Sequence, residues 1–149
     1  MDYQLNKVIG TGIHYPVIFS SSKKNKFLET STGKERINEA LHILINTRKG
    51  ERYNSNEYGC DLLAGLFEPN DSILKSLLAY TLLEAIDRWE RRITVTNLKF
   101  EDPSDHQIDI TVEYIIKATN TPGSYVFPFM RAGRPFSEVI KGKQYLAGI

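Results

Sequence analysis

The apolar positions change their period along the chain, and those changes divide it into elements. Over residues 10–29 the pattern is short and extended: Val17, Ile18 and Phe19, a polar stretch over 20–26, then Phe27 and Leu28, which predicts a small hairpin with a loose loop. Beyond Gly33 the helical period sets in. Ile37, Ala40, Leu41, Leu44 and Ile45 recur on one face of a helix over 34–46, with Lys34, Glu35, Asn38 and Glu39 on the other. Residues 47–56 hold Gly50, Asn54, Ser55 and Asn56 among charges, which breaks the period and predicts a surface loop. A short apolar run over 62–67 follows. Glu68, Pro69, Asn70, Asp71 and Ser72 then supply a stop, a turn and an N-cap for a second helix. Its stripe is Leu74, Leu77, Leu78, Thr81, Ala85 and Trp89, widened by Ile73, Leu82 and Ile86.

After Glu90 the period becomes two. Ile93 and Val95 share one phase and Leu98 and Phe100 the other, so a bulge or bend is expected around Asn97. A turn over 102–105 leads to a strand over 107–118, in which Ile108, Ile110, Val112, Tyr114 and Ile116 alternate with Asp109, Thr111, Glu113, Ile115 and Lys117. Residues 119–124 read as a turn and 125–130 as a third strand, before a tail rich in glycine and basic residues. The fold class is α+β: a single domain with two main amphipathic helices packed on a mostly antiparallel sheet.

Composition narrows the function. With 41% hydrophobic and 25% charged residues, the 149-residue chain has the balance of a soluble globular domain. Nineteen basic against eighteen acidic side chains leave a formal charge of +1, too little to draw the protein toward nucleic acid or an anionic membrane, so a partner must be recognised by shape and local charge. The single cysteine, Cys60, has no partner for a disulfide and suits a reducing compartment. The start lacks a signal-peptide core and no apolar run is long enough to span a bilayer, so synthesis and folding in the cytoplasm, without membrane insertion, are expected.

Two charged segments stand out. The first is the loop Thr47, Arg48, Lys49, Gly50, Glu51, Arg52 and Tyr53, continuing through Glu57, Tyr58 and Gly59; Arg52 could grip a carboxylate through two parallel hydrogen bonds, although a solvated loop between helices has the same composition. The second is Trp89, Glu90, Arg91, Arg92 and Ile93, where the long helix hands over to a strand. If extension begins at Glu90, then Glu90 and Arg92 project to one side, either as an interface anchor or as a salt bridge fixing helix against sheet. His14, His42 and His106 fall in three different elements and signal neither a metal site nor a catalytic pair, and no cofactor loop is present. Glu51, Glu57, Asp61, Glu84, Asp87 and Glu90 offer nominal carboxylate pairs for glycoside hydrolysis, but nothing near them signals a raised proton affinity.

In this order and separation, the two segments resemble the baseplate wedge and sheath-initiator family of contractile phage tails and related injection systems. The matching positions are Thr47 with Gly50, Glu51 and Arg52; Glu57, Tyr58 and Gly59; Leu66, Phe67, Glu68 and Pro69; and Glu90, Arg91, Arg92 and Ile93, with Gly10, Gly12 and Pro16 similar to the family's opening. Arg91 stands where the family has proline. The resemblance covers about residues 10–117 of one domain over 1–149, leaving 119–149 as an edge strand and tail. It implies a structural, non-enzymatic subunit, present in several copies in a sixfold baseplate; the residues themselves signal no cofactor and no metal. Its partners would be the wedge core subunits and the sheath protein, with tube or hub proteins in addition, and an exposed strand would template the first sheath ring. The edge is expected at the strand over 107–118 or at 125–130, where Pro128 suits an edge. Some members carry the name tail lysozyme, which keeps a peptidoglycan-cleaving alternative open beside a generic adaptor.

Overall fold

In the computed structural model, which describes residues 9–19, 28–65, 68–104 and 107–130, strand β1 (Thr11–Ile13) pairs antiparallel with β2 (Thr30–Thr32). The pairing continues through His14 N–H to the Glu29 carbonyl and an isolated bridge between Phe19 and Leu28. The expected hairpin therefore forms, with its ladder further from the tip than the apolar residues suggested. The hairpin tip with Phe27, together with Leu66, Phe67, Asp105, His106 and the tail from residue 131, lies outside the described residues.

Helix α1 (Gly33–Asn46) starts directly after β2, at a glycine whose φ of +61° lies where other residues are strained. Ile37, Leu41, Leu44 and Ile45 are buried as predicted. Glu39, assigned to the polar face, is buried too: its carboxylate accepts hydrogen bonds from the Ser31 hydroxyl and from Tyr15 N–H (3.1 Å). The β1–β2 hairpin covers that side of the helix, and helical periodicity cannot register a neighbour so remote in sequence.

Helix α2 (Ser72–Trp89) is capped by Asp71, whose Oδ1 accepts from Ile73 N–H at 3.0 Å and Leu74 N–H at 2.9 Å. Leu74, Leu78, Leu82, Ala85 and Ile86 are buried, while Ile73 and Leu77, expected in the stripe, are exposed. Each residue advances about 100° around a helix. The covered arc centres on Leu78, Leu82 and Ile86, and Ile73 and Leu77 fall beyond its edge with Tyr80 and Leu83.

Strands β3 (Ile93–Ser104), β4 (Gln107–Ile116) and β5 (Thr121–Met130) form one antiparallel sheet in the order β3-β4-β5. The predicted irregularity is present as a register shift between Val95 and Asn97, at Thr96. A second shift between Glu101 and Ser104 takes in Pro103, which has no N–H to give the ladder; Asp102 and Pro103 thus extend the strand instead of turning it. Strand β4 ends at Ile116, two residues early. Asn120, at φ +52°, helps reverse the chain over residues 117–120, so β5 begins at Thr121 and not at Tyr125.

The alternation in β4 holds: Ile108, Ile110, Val112, Tyr114 and Ile116 are buried, joined by Tyr125 and Phe129 of β5. Helix α1 lies against β5 and α2 against β3. Two hydroxyls fasten sheet to helix: Tyr114 donates to Asn38 Oδ1 (2.6 Å), its ring folded over Gly123, and the Tyr125 hydroxyl meets His42 Nδ1 (2.8 Å). One expectation fails. Strand β4 is central and cannot be the edge; among the described residues the open edges belong to β3 and β5.

Candidate docking surface

The helix-to-strand junction is built around a buried carboxylate. Glu90 N–H closes α2 onto the Ile86 carbonyl (2.8 Å), Arg91 and Arg92 turn the chain, and β3 starts at Ile93. Extension does not begin at Glu90, yet Glu90 and Arg92 still meet. The Arg92 guanidinium grips both Glu90 oxygens, Nε to Oε1 at 2.7 Å and NH2 to Oε2 at 2.5 Å, while NH1 donates to the Ile9 carbonyl at 2.9 Å. Arg92 N–H also approaches Glu90 Oε1 (3.3 Å), so the carboxylate organises the turn that a proline would otherwise stiffen. The Glu90 side chain is only 7% exposed. Its hydrogen bond holds the Arg92 proton more tightly than usual. Arg91 points to solvent.

The loop over 47–61 wraps against this junction. Gly59, at φ +124°, presses on the Thr47 carbonyl where a Cβ would collide, and Cys60 N–H donates to the same oxygen (2.8 Å). That closure seats Tyr58 edge-on against Trp89, with ring centroids 5.2 Å apart, and places the Arg52 guanidinium 4.1 Å above the Tyr58 ring. Arg88, 5.3 Å from the Trp89 ring, bridges to Glu57 at 2.7 Å. Burial raises the Tyr58 phenol's pKa, with Glu90 pushing the same way and Arg52 opposing. Burial also pushes the Cys60 thiol up to about 12, which suits packing and not nucleophilic attack.

Of the nominated residues, Arg52, Glu57, Tyr58, Glu90, Arg91 and Arg92 are thus gathered at the junction. Gly50 and Glu51 are not: Gly50 (φ +87°) turns the loop, and Glu51 accepts from Arg48 N–H (3.0 Å). Arg88 and the Ile9 carbonyl escaped sequence reasoning, since neither an exposed helical arginine nor a backbone oxygen carries a sequence signal.

A second polar cluster joins the hairpin to α1. His14 Nδ1 lies 3.0 Å from the Pro16 carbonyl, and Nε2 faces Glu35 Oε1 (3.5 Å) and Glu39 Oε1 (3.7 Å). The hydrogen bond to Pro16 raises the imidazole's pKa, and the negative charges of Glu39, Glu35 and Glu29 add to the effect. These groups border a groove of about 440 Å³ that also contains Tyr15, Lys34 and His42.

The fold is shared with baseplates of contractile particles. A component of the anti-feeding prophage baseplate superposes with a TM-score of 0.62 at 18% identity, covering 93% of this chain and 98% of the other. A component of the postcontracted pyocin R2 baseplate gives 0.55 at 18%, covering 68% and 98%. A Geobacter sulfurreducens protein provisionally named a tail lysozyme gives 0.64 at 26%, covering 70% and 96%. The sequence then assigns the family: the model of Baseplate wedge protein gp25 matches residues 31–121, and the chain belongs to that family of contractile injection systems. No curated protein matches the chain. No helix among the described residues is long and apolar enough to cross a membrane.

Proposed function

We propose that the protein is a structural, non-enzymatic wedge component that docks on the wedge core through the Arg52–Tyr58–Trp89 face and starts the first sheath ring through the free edge of β5. The observation that carries this reading is the convergence of the two charged segments into one stacked surface beside the Glu90–Arg92 pair. Arginine on an aromatic ring is a common anchor of protein interfaces, and the exposed Arg52, Glu57 and Arg91 give the face mixed charge for selectivity. With β4 central, β5 is the edge left from the sequence expectation. Val126 is exposed on it, and Pro122 and Pro128 reduce its donors, which discourages unwanted pairing before a partner arrives.

The partners in this reading are wedge core subunits and the sheath protein, with tube or hub proteins nearby, in a sixfold baseplate assembled from subunits made in the cytoplasm. Substituting Arg52→Ala leaves the core untouched and is expected to block incorporation into baseplates viewed by electron microscopy, with an unchanged melting temperature. Normal incorporation would overturn the docking assignment. Val126→Lys is expected to give baseplates that form but stay bare of sheath. Truncation after Asn120 is not suitable, because it removes the buried Tyr125 and Phe129. Against the lysozyme alternative, Glu57 is engaged by Arg88, Glu84 by Lys49 and Glu90 by Arg92, so no muropeptide release is expected.

A further inference from the structure

We propose that His14, Glu35 and Glu39 form a binding site for one divalent transition-metal cation of the Zn²⁺ type, which clips the β1–β2 hairpin to α1. Their donor atoms all lie within 4.8 Å of one another. The two separations from His14 Nε2, 3.5 and 3.7 Å, are too long for hydrogen bonds. They fall close to the edge of a tetrahedron around an ion bound at roughly 2.0–2.2 Å, which is roughly 3.3–3.6 Å. Small movements therefore complete three sides of a coordination sphere.

The supporting groups are also those a metal site uses. Donation from His14 Nδ1–H to the Pro16 carbonyl (3.0 Å) leaves the Nε2 lone pair facing the carboxylates. Glu39 is held by the Ser31 hydroxyl and Tyr15 N–H, which orient a buried carboxylate toward the imidazole. Glu35, 62% exposed, can swing in as the adjustable ligand. Arg36 is the competing cation, but it approaches the other Glu39 oxygen, Oε2, at 3.4 Å. Lys34 borders the same groove, from which water would supply the fourth ligand. One imidazole and two carboxylates suit Zn²⁺ better than Mg²⁺ or Ca²⁺, which favour all-oxygen shells. The role is structural and independent of the docking face.

The test uses the full chain, free of affinity tag and stripped with chelator, titrated with Zn²⁺ by calorimetry and with Co²⁺ by visible absorption. One ion per chain, a tetrahedral cobalt spectrum, a higher melting temperature and slower amide exchange over residues 11–18 are expected. Glu35→Gln changes an exposed side chain and keeps the fold, and His14→Gln removes the imidazole; each is expected to weaken binding by at least about tenfold. Unaltered metal-free melting temperatures would exclude misfolding as the cause. Absence of saturable binding, or saturable binding that both substitutions leave unchanged, would overturn the proposal.

Discussion

Replacing Arg92 with alanine isolates what the junction pair does for the fold. The substitution removes two charge-assisted hydrogen bonds to Glu90 and the bond to the Ile9 carbonyl, and leaves a carboxylate that is 7% exposed without its countercharge. Breaking a buried pair on one side costs about 3–5 kcal/mol, and the 31% exposure of Arg92 lets water recover part of it, so about 2–4 kcal/mol is expected. For a chain of this length that lowers the melting temperature by roughly 5–15 °C. Urea titration should show the midpoint shift at unchanged slope. The double variant Glu90→Leu with Arg92→Met should regain most of the loss, because an apolar pair of similar volume asks for no countercharge. If Arg92→Ala lies within about 0.5 kcal/mol of the parent, the Glu90–Arg92 pair is no brace of the junction.

Asp71→Ala should cost about 1 kcal/mol by stripping two N–H groups of α2 of their acceptor, read by the same titration. Gly59→Ala should cost about 1–3 kcal/mol or more, because a left-handed backbone and a collision with the Thr47 carbonyl act together; it should also loosen Tyr58 from Trp89, visible as a change in tryptophan fluorescence. Burial lowers the pKa of His42, which meets Tyr125 and Asn46 and stacks near Tyr15. The unfolded chain takes up its proton near pH 6.5 while the folded one does not, so this residue's contribution to stability should fall as pH drops below 6.5. His42→Gln should flatten that limb of the stability profile.

The elements were legible where burial follows a local period. Helix α1, the body of α2, the bulge at Thr96 and the five buried positions of β4 all follow from residues within a few places of one another. The errors of burial and of sheet edge share one cause, that a distant segment decides. Ile73 and Leu77 carry the right chemistry for a core stripe, but nothing among the described residues covers them fully. Glu39 carries the wrong chemistry for burial, yet the hairpin supplies Ser31 and Tyr15 N–H to satisfy it. Strand β4 has the alternation of a one-faced strand, and alternation is blind to whether one neighbour or two lie beside it in the sheet.

The junction follows the same logic one level up. Sequence spacing could bring Glu90 and Arg92 together, because they are two residues apart, but it could not decide which way they face. The structure answers with a layered arrangement: Glu90 is buried, Arg92 spans from it to the Ile9 carbonyl, and Tyr58 packs edge-on against Trp89 beneath the Arg52 guanidinium. The two readings of the pair, brace and anchor, are therefore carried by different residues. Glu90 and Arg92 hold the backbone on which Trp89 sits, while Arg52, Glu57 and Arg91 are exposed and are the residues that the proposed docking would use. Loss of the inner pair should damage folding and docking together, whereas loss of the outer guanidinium should damage docking alone. A variant of Arg52 that melts early, or one of Arg92 that fails to assemble while melting normally, would reverse that order and return the pair to the surface.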